Sequence, residues 1–359
     1  MPLIPLYGHT ALQERLRGAV RRRTLPASLL IHGPKAIGKQ RLALWLGQFL
    51  LCEKCPSDDA PCGKCQPCRY ANELGHPDLH WYFPRPRLKD TDPSLEDVKN
   101  DYIEARIERA ESGGIYDPPS GMEAIYIRTV HFIVQQAGMT PTLANRKVFV
   151  IGDADRMTPQ EGSEFAANAF LKLLEEPLAD TTLILTTSEP AALPATIRSR
   201  VVGLRAAPLA DSEVRGFIKD PLASKALSGG SLPKSVEERV RLAAGAPGRL
   251  LGASTAREAV NQASDLLAAA RGGAAERYRV GMALGASRAR GFFSDVLDAL
   301  TLLLRDRVQE RAASGDHDGA RRAAMAVGAV EDAKLRASGN VNPQLIGSAL
   351  LRELGDLRP

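Results

Sequence analysis

At 359 residues the chain is too long for one ordinary domain, and two or three are expected. Hydrophobic residues at 44% and charged residues at 25% exclude a disordered or low-complexity class and allow sizeable buried cores. The net charge of +5 permits contact with a polyanion without requiring it, because 42 acidic residues are interspersed among 47 basic ones.

No apolar run approaches the length that spans a bilayer, and the opening MPLIPLYGHT lacks a signal-peptide pattern, so a cytoplasmic, membrane-free protein is expected. Residues around 11–22 place Leu12, Leu16 and Val20 at helical spacing and run into Arg21-Arg22-Arg23, which reads as a solvated helix end. Ser28–Ile31 is a short apolar strand, followed by the turn HGPKAIGKQ and the helix RLALWLGQFLL. All five cysteines then fall between Cys52 and Cys68. A proline- and charge-rich stretch, Pro84–Gly121, carries little apolar periodicity before Asp97–Arg109 and is read as a partly disordered insertion. Lys147–Ile151 and Thr182–Leu185 are further buried strands, with a helix from about Gly162 to Glu176 between them, stopped by Pro177. From Asp211 the pattern is helical only: Ser235–Ala243, Arg249–Ala269, Ala289–Arg311, Gly319–Ala337, and a last helix starting at Asn342-Pro343, with Asn as cap. No internal repeat is visible. The alternating first part predicts an α/β domain with a parallel sheet, followed by helical domains.

The segment Gly33-Pro34-Lys35-Ala36-Ile37-Gly38-Lys39-Gln40 satisfies G-x-x-x-x-G-K and then departs from the phosphate-loop pattern. Its strand–loop–helix setting lets backbone N–H groups and Lys39 face phosphates. The Ser or Thr whose hydroxyl ligates Mg²⁺ is replaced by Gln40. The second half of such a site is an acidic pair after another strand. Here Asp153 stands in the metal-linked place and Ala154 where a carboxylate would activate water. Loss of hydroxyl and base together predicts weak binding of ATP or ADP at most, and very slow hydrolysis.

Clustered cysteines in a cytoplasmic chain argue for a metal, not a disulfide framework. Cys62-x2-Cys65-x2-Cys68, preceded by Cys52 and Cys55, supplies five candidates for a four-thiolate structural Zn²⁺. Iron–sulfur ligation shares the spacing style but lacks an evident redox partner.

These features resemble the delta-prime group of the bacterial DNA polymerase III clamp loader, in the AAA+ clamp-loader family. The resemblance begins at Gly8-His9 and Leu25-Pro26-Ala27-Ser28-Leu29-Leu30, continues through the cysteines and His76-Pro77-Asp78, and is most specific over Ala166-Ala167-Asn168-Ala169-Phe170-Leu171-Lys172-Leu173-Leu174-Glu175-Glu176-Pro177. Leu185-Thr186-Thr187-Ser188-Glu189-Pro190 is similar to the family's sensor region, which implies a nucleotide-side role for Thr187. Thr196-Ile197-Arg198-Ser199-Arg200-Val201 resembles its S-R-C motif with Val201 in place of Cys, and implies that Arg200 is an arginine finger for a neighbouring subunit's ATP. Gly245-Ala246-Pro247-Gly248-Arg249 resembles the lid motif, and Asn340-Val341-Asn342-Pro343-Gln344-Leu345 the start of the collar helix. The family's spacing favours Cys52 over Cys55 as the first metal ligand, with one residue more than usual before Cys62. The insertion has no counterpart in the pattern.

The resemblance implies an AAA+ type domain over 1–208, carrying a zinc module at 52–68 and the insertion at 84–121. A helical lid over 209–270 and a helical collar over 271–359 would follow. It further implies a non-catalytic subunit of the polymerase III holoenzyme, without polymerase activity of its own. Its partners would be motor subunits of the gamma/tau type, the delta subunit, the sliding clamp and primer–template DNA. Two other readings make different demands on the residues. An ATP-hydrolysing motor subunit needs Ser or Thr at 40 and Glu at 154, whereas Gln40 and Ala154 are present. A DNA-reading finger needs basic and aromatic residues dense around the metal, whereas only Lys54, Lys64, Arg69 and Tyr70 are near.

Overall fold

The computed structural model describes all residues except 1, 56–59, 89, 91–92, 117–122, 158–163, 179, 229–231, 252, 285–288, 339–341 and 358–359. It separates into two compact units, one of Met1–Pro118 and Glu123–Leu251, the other containing Gly252–Pro359.

In the first unit α1 (Thr10–Arg21) buries Leu12 and Leu16 and leads to β1 (Ser28–His32). The apolar run of β1 is buried on both faces, as a central parallel strand requires. α2 (Lys39–Leu51) is buried along almost its whole length. It presses so close to the sheet that a Cβ on Gly47 would lie 2.6 Å from Leu79. Then follow α3 (Gln66–Asn72), β2 (Leu79–Tyr82), α4 (Leu95–Glu111), α5 (Ile127–Ala137), β3 (Lys147–Ile151), α6 (Glu164–Glu175), β4 (Thr181–Thr187), α7 (Ala195–Arg198) and β5 (Val202–Arg205). The sheet is wholly parallel in the order β2-β3-β4-β1-β5. The loops leaving β1, β3 and β4 therefore open side by side at the carboxyl edge, where open α/β sheets bind their ligands. Helices α8 (Asp211–Lys219), α9 (Pro221–Leu227) and α10 (Val236–Ala243) complete this unit, and their Val214, Phe217, Ala223 and Val240 join its core.

The second unit is all-helical: α11 (Ala253–Arg271), α12 (Ala274–Ala283), α13 (Ala289–Ala313), α14 (His317–Ser338) and α15 (Pro343–Leu357). Its core is separate, with Leu266, Leu297, Leu300, Val330 and Leu351 at the centre. The Asn342 side chain accepts from the Gln344 N–H at 2.9 Å, so α15 starts on its expected cap. Asn340 and Val341 lie outside the described residues, as does Gly162 at the expected start of α6.

Within the helical stretch expected over Arg249–Ala269, Pro247–Leu250 forms a 3-10 turn and α11 begins at Ala253. The compact units divide after Leu251, and α11 gives Ala263, Leu266 and Leu267 to the core of the second unit. The described part of the insertion is well built. A capping box of Ser94 and Asp97 starts α4, and α4 buries Val98, Tyr102 and Ala105. The Tyr102 hydroxyl donates to the Phe83 carbonyl at 2.7 Å, and Arg85 grips Asp101 with two bonds of 2.9 and 2.8 Å. The periodicity noted at Asp97–Arg109 lies within this helix.

Candidate functional site

The phosphate loop leaves β1 and enters α2 through backbone that only small residues reach easily, with φ of 155° at Gly33, 65° at Ala36 and 87° at Gly38. Pro34 lies in this loop, and its carbonyl accepts from the Lys39 ammonium at 2.7 Å. Lys39 also donates to the Gly33 carbonyl at 3.1 Å and to Ser188 Oγ at 2.9 Å. All three ammonium protons thus have acceptors inside the chain. Burial pulls Lys39 down to about 8, against the pull of Asp153 and Asp155.

Gln40 sits in the first turn of α2, and its carboxamide is held at both ends. Its Nε2 donates to Asp153 Oδ2 at 2.9 Å, and its Oε1 accepts from the Trp81 indole N–H at 2.9 Å. The indole can only donate, so the orientation of the amide is fixed. Gly152 makes room for it, since a Cβ there would lie 2.3 Å from the amide. Asp153 itself has φ 46° and lies just past β3, after Gly152. Burial pushes its carboxyl up, opposed by Lys39, Arg156 and Arg109. A magnesium ion, which intact phosphate loops hold between a hydroxyl and this carboxylate, does not fit this arrangement: the hydroxyl is gone and an amide N–H is bonded to Asp153 Oδ2. Ala154, in the 3-10 turn Ala154–Met157, is fully buried and offers no base.

Thr187, the last residue of β4, donates to Asp155 Oδ1 at 2.5 Å and accepts from the Glu189 N–H at 2.9 Å. It closes the carboxyl edge as part of a polar network, and Thr186 Oγ1 accepts from the Asp153 N–H at 3.3 Å. Arg249 is exposed on the Pro247–Leu250 turn. That turn meets the phosphate loop through its backbone: the Gly248 N–H donates to the Ala36 carbonyl at 3.0 Å. Arg200 follows α7, one third exposed, donating to the Thr196 carbonyl at 2.8 Å and pairing with Glu175 at the end of α6.

The cysteines are brought together by two helix ends. Cys52 caps the end of α2, Cys65 caps the start of α3, Cys68 lies within α3, and Cys62 is in the loop between. The thiols of Cys52, Cys62, Cys65 and Cys68 all lie within 4.8 Å of one another. The Sγ–Sγ separations of 4.0 Å for Cys62–Cys68 and 3.9 Å for Cys65–Cys52 are close to the edge of about 3.8 Å of a tetrahedron with ~2.3 Å metal–sulfur bonds. Backbone N–H groups point at sulfur, from Cys62 to Cys52 at 3.4 Å and from Cys65 to Cys62 at 3.3 Å. Backbone donors at Cys65 and Lys64 draw Cys62 down to about 6, while burial pushes Cys65 and Cys68 up. Four converging sulfurs fit a metal ion, and the fifth, Cys55, stands outside the group with its thiol toward the Ala60 carbonyl at 3.6 Å.

Sequence reading found Gln40, Asp153 and the four thiols, and the structure assembles them. It missed Trp81 and Arg109, because an aromatic in a strand and an arginine in an unmatched insertion carry no motif. The five-stranded parallel order with a phosphate loop after β1, and the 247–250 turn bonded to that loop, define an AAA+ type domain with a degenerate phosphate loop and a four-cysteine group that could hold a metal ion. The family described as "DNA polymerase III, delta subunit" matches residues 8–210, more than half of the chain, and the chain belongs to that family. It is 31% identical over 173 residues to DNA polymerase III subunit delta' of Pseudomonas aeruginosa, covering 48% of this chain and 40% of that one. It is 28% identical over 198 residues to subunit delta' of Bacillus subtilis, covering 55% and 47%. DNA polymerase III subunit tau of Bacillus subtilis is 27% identical over 195 residues, covering 54% and 27%. The chain thus spans less than half the length of these relatives. No helix among the described residues is long and apolar enough to cross a membrane.

Proposed function

We propose that the chain is a non-hydrolysing, delta-prime type subunit of a cytoplasmic clamp loader. In this reading it helps place a sliding clamp on primer–template DNA within a complex of motor subunits and a delta subunit. The observation that carries the reading is the Gln40 amide bonded to Asp153 at 2.9 Å, beside Ala154. A site without a metal position or a base contributes structure to an ATP-driven ring, not turnover. The likeness to a tau subunit would suit a motor instead, but the same two residues speak against it.

Cys52, Cys62, Cys65 and Cys68 would hold Zn²⁺, which ties the end of α2 to the start of α3. Lys39, Gly33, Pro34, Gly38, Thr187 and Arg249 would border any nucleotide, whose binding has to displace the internal bonds of Lys39. Arg200 would serve a neighbour. Its guanidinium is held by the α7 carbonyl and Glu175, and reaching across a subunit interface means giving up that exposed ion pair, which costs little.

The test is reconstitution with motor and delta subunits and a clamp. The isolated chain should turn over ATP at background, and Arg200→Ala should lower the DNA-stimulated ATPase of the whole complex by about a hundredfold or more. Turnover by the isolated chain would sink the non-catalytic reading. An unchanged complex with Arg200→Ala would remove the finger assignment alone.

A further inference from the structure

We propose that the 84–121 insertion locks the metal position of the phosphate loop from inside the chain, with Arg109 the positioning residue that holds Trp81 against Gln40. The inference concerns this domain alone and stands whether or not the chain enters a clamp loader.

A metal-binding phosphate loop needs the side chain at position 40 and the carboxylate of Asp153 to turn toward the same ion. Here they turn toward each other, and Trp81 makes that arrangement directional. The indole N–H requires Oε1 of Gln40 on its side, which forces the amide N–H onto Asp153. Gln40 without Trp81 could rotate away; Gln40 with Trp81 has one low-energy orientation.

Trp81 is in turn held by the insertion. The Arg109 guanidinium lies 4.6 Å from the Trp81 ring centre, 3.2 Å from that of Phe83 and 3.7 Å from that of Tyr116. Tyr116 meets Trp81 edge-on at 5.7 Å, and Phe83 does so at 5.0 Å. Arg109 lies on α4 and Tyr116 just beyond it, so the segment after β2 supplies the clamp on a residue of the sheet. The position of Arg109 follows from α4, which is pinned by its capping box and by Tyr102 and Asp101. Nη1 of Arg109 is buried without a hydrogen-bond partner, a cost that a structural arginine at a surface would not bear. Its charge also reaches Asp153, where with Lys39 it supplies part of the positive field a divalent ion would provide. The chain of contacts therefore runs from the insertion through Trp81 and Gln40 to the carboxylate.

The experiment follows the two indole N–H signals of the full-length, zinc-loaded chain, which has two tryptophans, assigned with Trp45→Phe. Mn²⁺ is the probe. In the wild type the Trp81 signal should exchange slowly and stay sharp as Mn²⁺ is added. Gln40→Ala should open the position and broaden it. Arg109→Met keeps the bulk and removes the stacked cation; it should speed Trp81 indole exchange by about tenfold and admit Mn²⁺. Trp81→Phe keeps an aromatic ring near Arg109 while removing the indole donor, and should bind Mn²⁺ by electron paramagnetic resonance. Broadening of the wild-type signal equal to that in Gln40→Ala would overturn the lock. So would wild-type exchange in Arg109→Met, or exclusion of Mn²⁺ by Trp81→Phe.

Discussion

Gln40 replaces a hydroxyl by a longer group with both a donor and an acceptor, and the protein uses both. Replacement at such a position changes what the site is, not only how well it works. Two other residues at this scale carry measurable consequences. His80 of β2 stacks on Phe149 with ring centres 4.6 Å apart, and burial pulls it down to about 4 from its ordinary 6.5. Between pH 6.5 and about 4 the unfolded chain binds the proton that the folded chain refuses, so stability is full above pH 6.5 and falls as pH drops through that window. The loss should reach about 3 kcal/mol, seen as a fall in melting temperature that His80→Phe makes shallower. An equal slope in both proteins would clear His80 of the effect. Asp78 is buried and accepts three backbone N–H groups, from Thr142, Leu143 and Ala144, at 2.6 to 2.7 Å. Burial alone would raise its carboxyl, but these donors outweigh that and leave it lowered. Asp78→Ala strands all three donors and should cost about 3 kcal/mol or more in urea unfolding.

At the scale of elements, the strands with continuous apolar runs were plain in the sequence: Ser28–Ile31, Lys147–Ile151 and Thr182–Leu185 all lie in the sheet. β2 and β5 were not, for opposite reasons. β2 is four residues of mostly aromatic character with no alternation, and β5, at the sheet edge, exposes three of its four residues. The thiol group was legible because C-x2-C spacing places successive sulfurs within reach of one ion; the preference for Cys52 over Cys55 rested on the resemblance, and it is the Cys52 thiol that joins the other three. The Trp81–Gln40–Asp153 chain joins three segments far apart in sequence, and no local pattern encodes it. The metal module makes its own prediction. Unfolding the purified chain should release about one Zn²⁺, and Cys68→Ser should abolish that release and loosen the end of α2. A wild-type chain that yields no metal would refute the module's role.

For the whole molecule, two cores of different make share one chain: a sheet sandwiched by helices up to Leu251, and helices packed on helices after it. Separate cores unfold as separate cooperative units unless a large interface couples them. Calorimetry should therefore resolve two transitions, with metal chelation lowering only the one that belongs to the first unit. A single transition that shifts as a whole on chelation would contradict this.

The bond from the Gly248 N–H to the Ala36 carbonyl has a consequence of another kind. It is made by main chain alone, and it leans on a glycine whose Cβ, if present, would lie 3.0 Å from Ala36 Cβ. Substitutions can drift across much of both segments without erasing it, so long as that position stays bare and the loop's positive-φ positions keep small residues. The same amide is a natural gauge: its proton trades with solvent only when the 247–250 turn lifts from the loop, and deuterium uptake at this single site would time that opening in an otherwise unaltered protein.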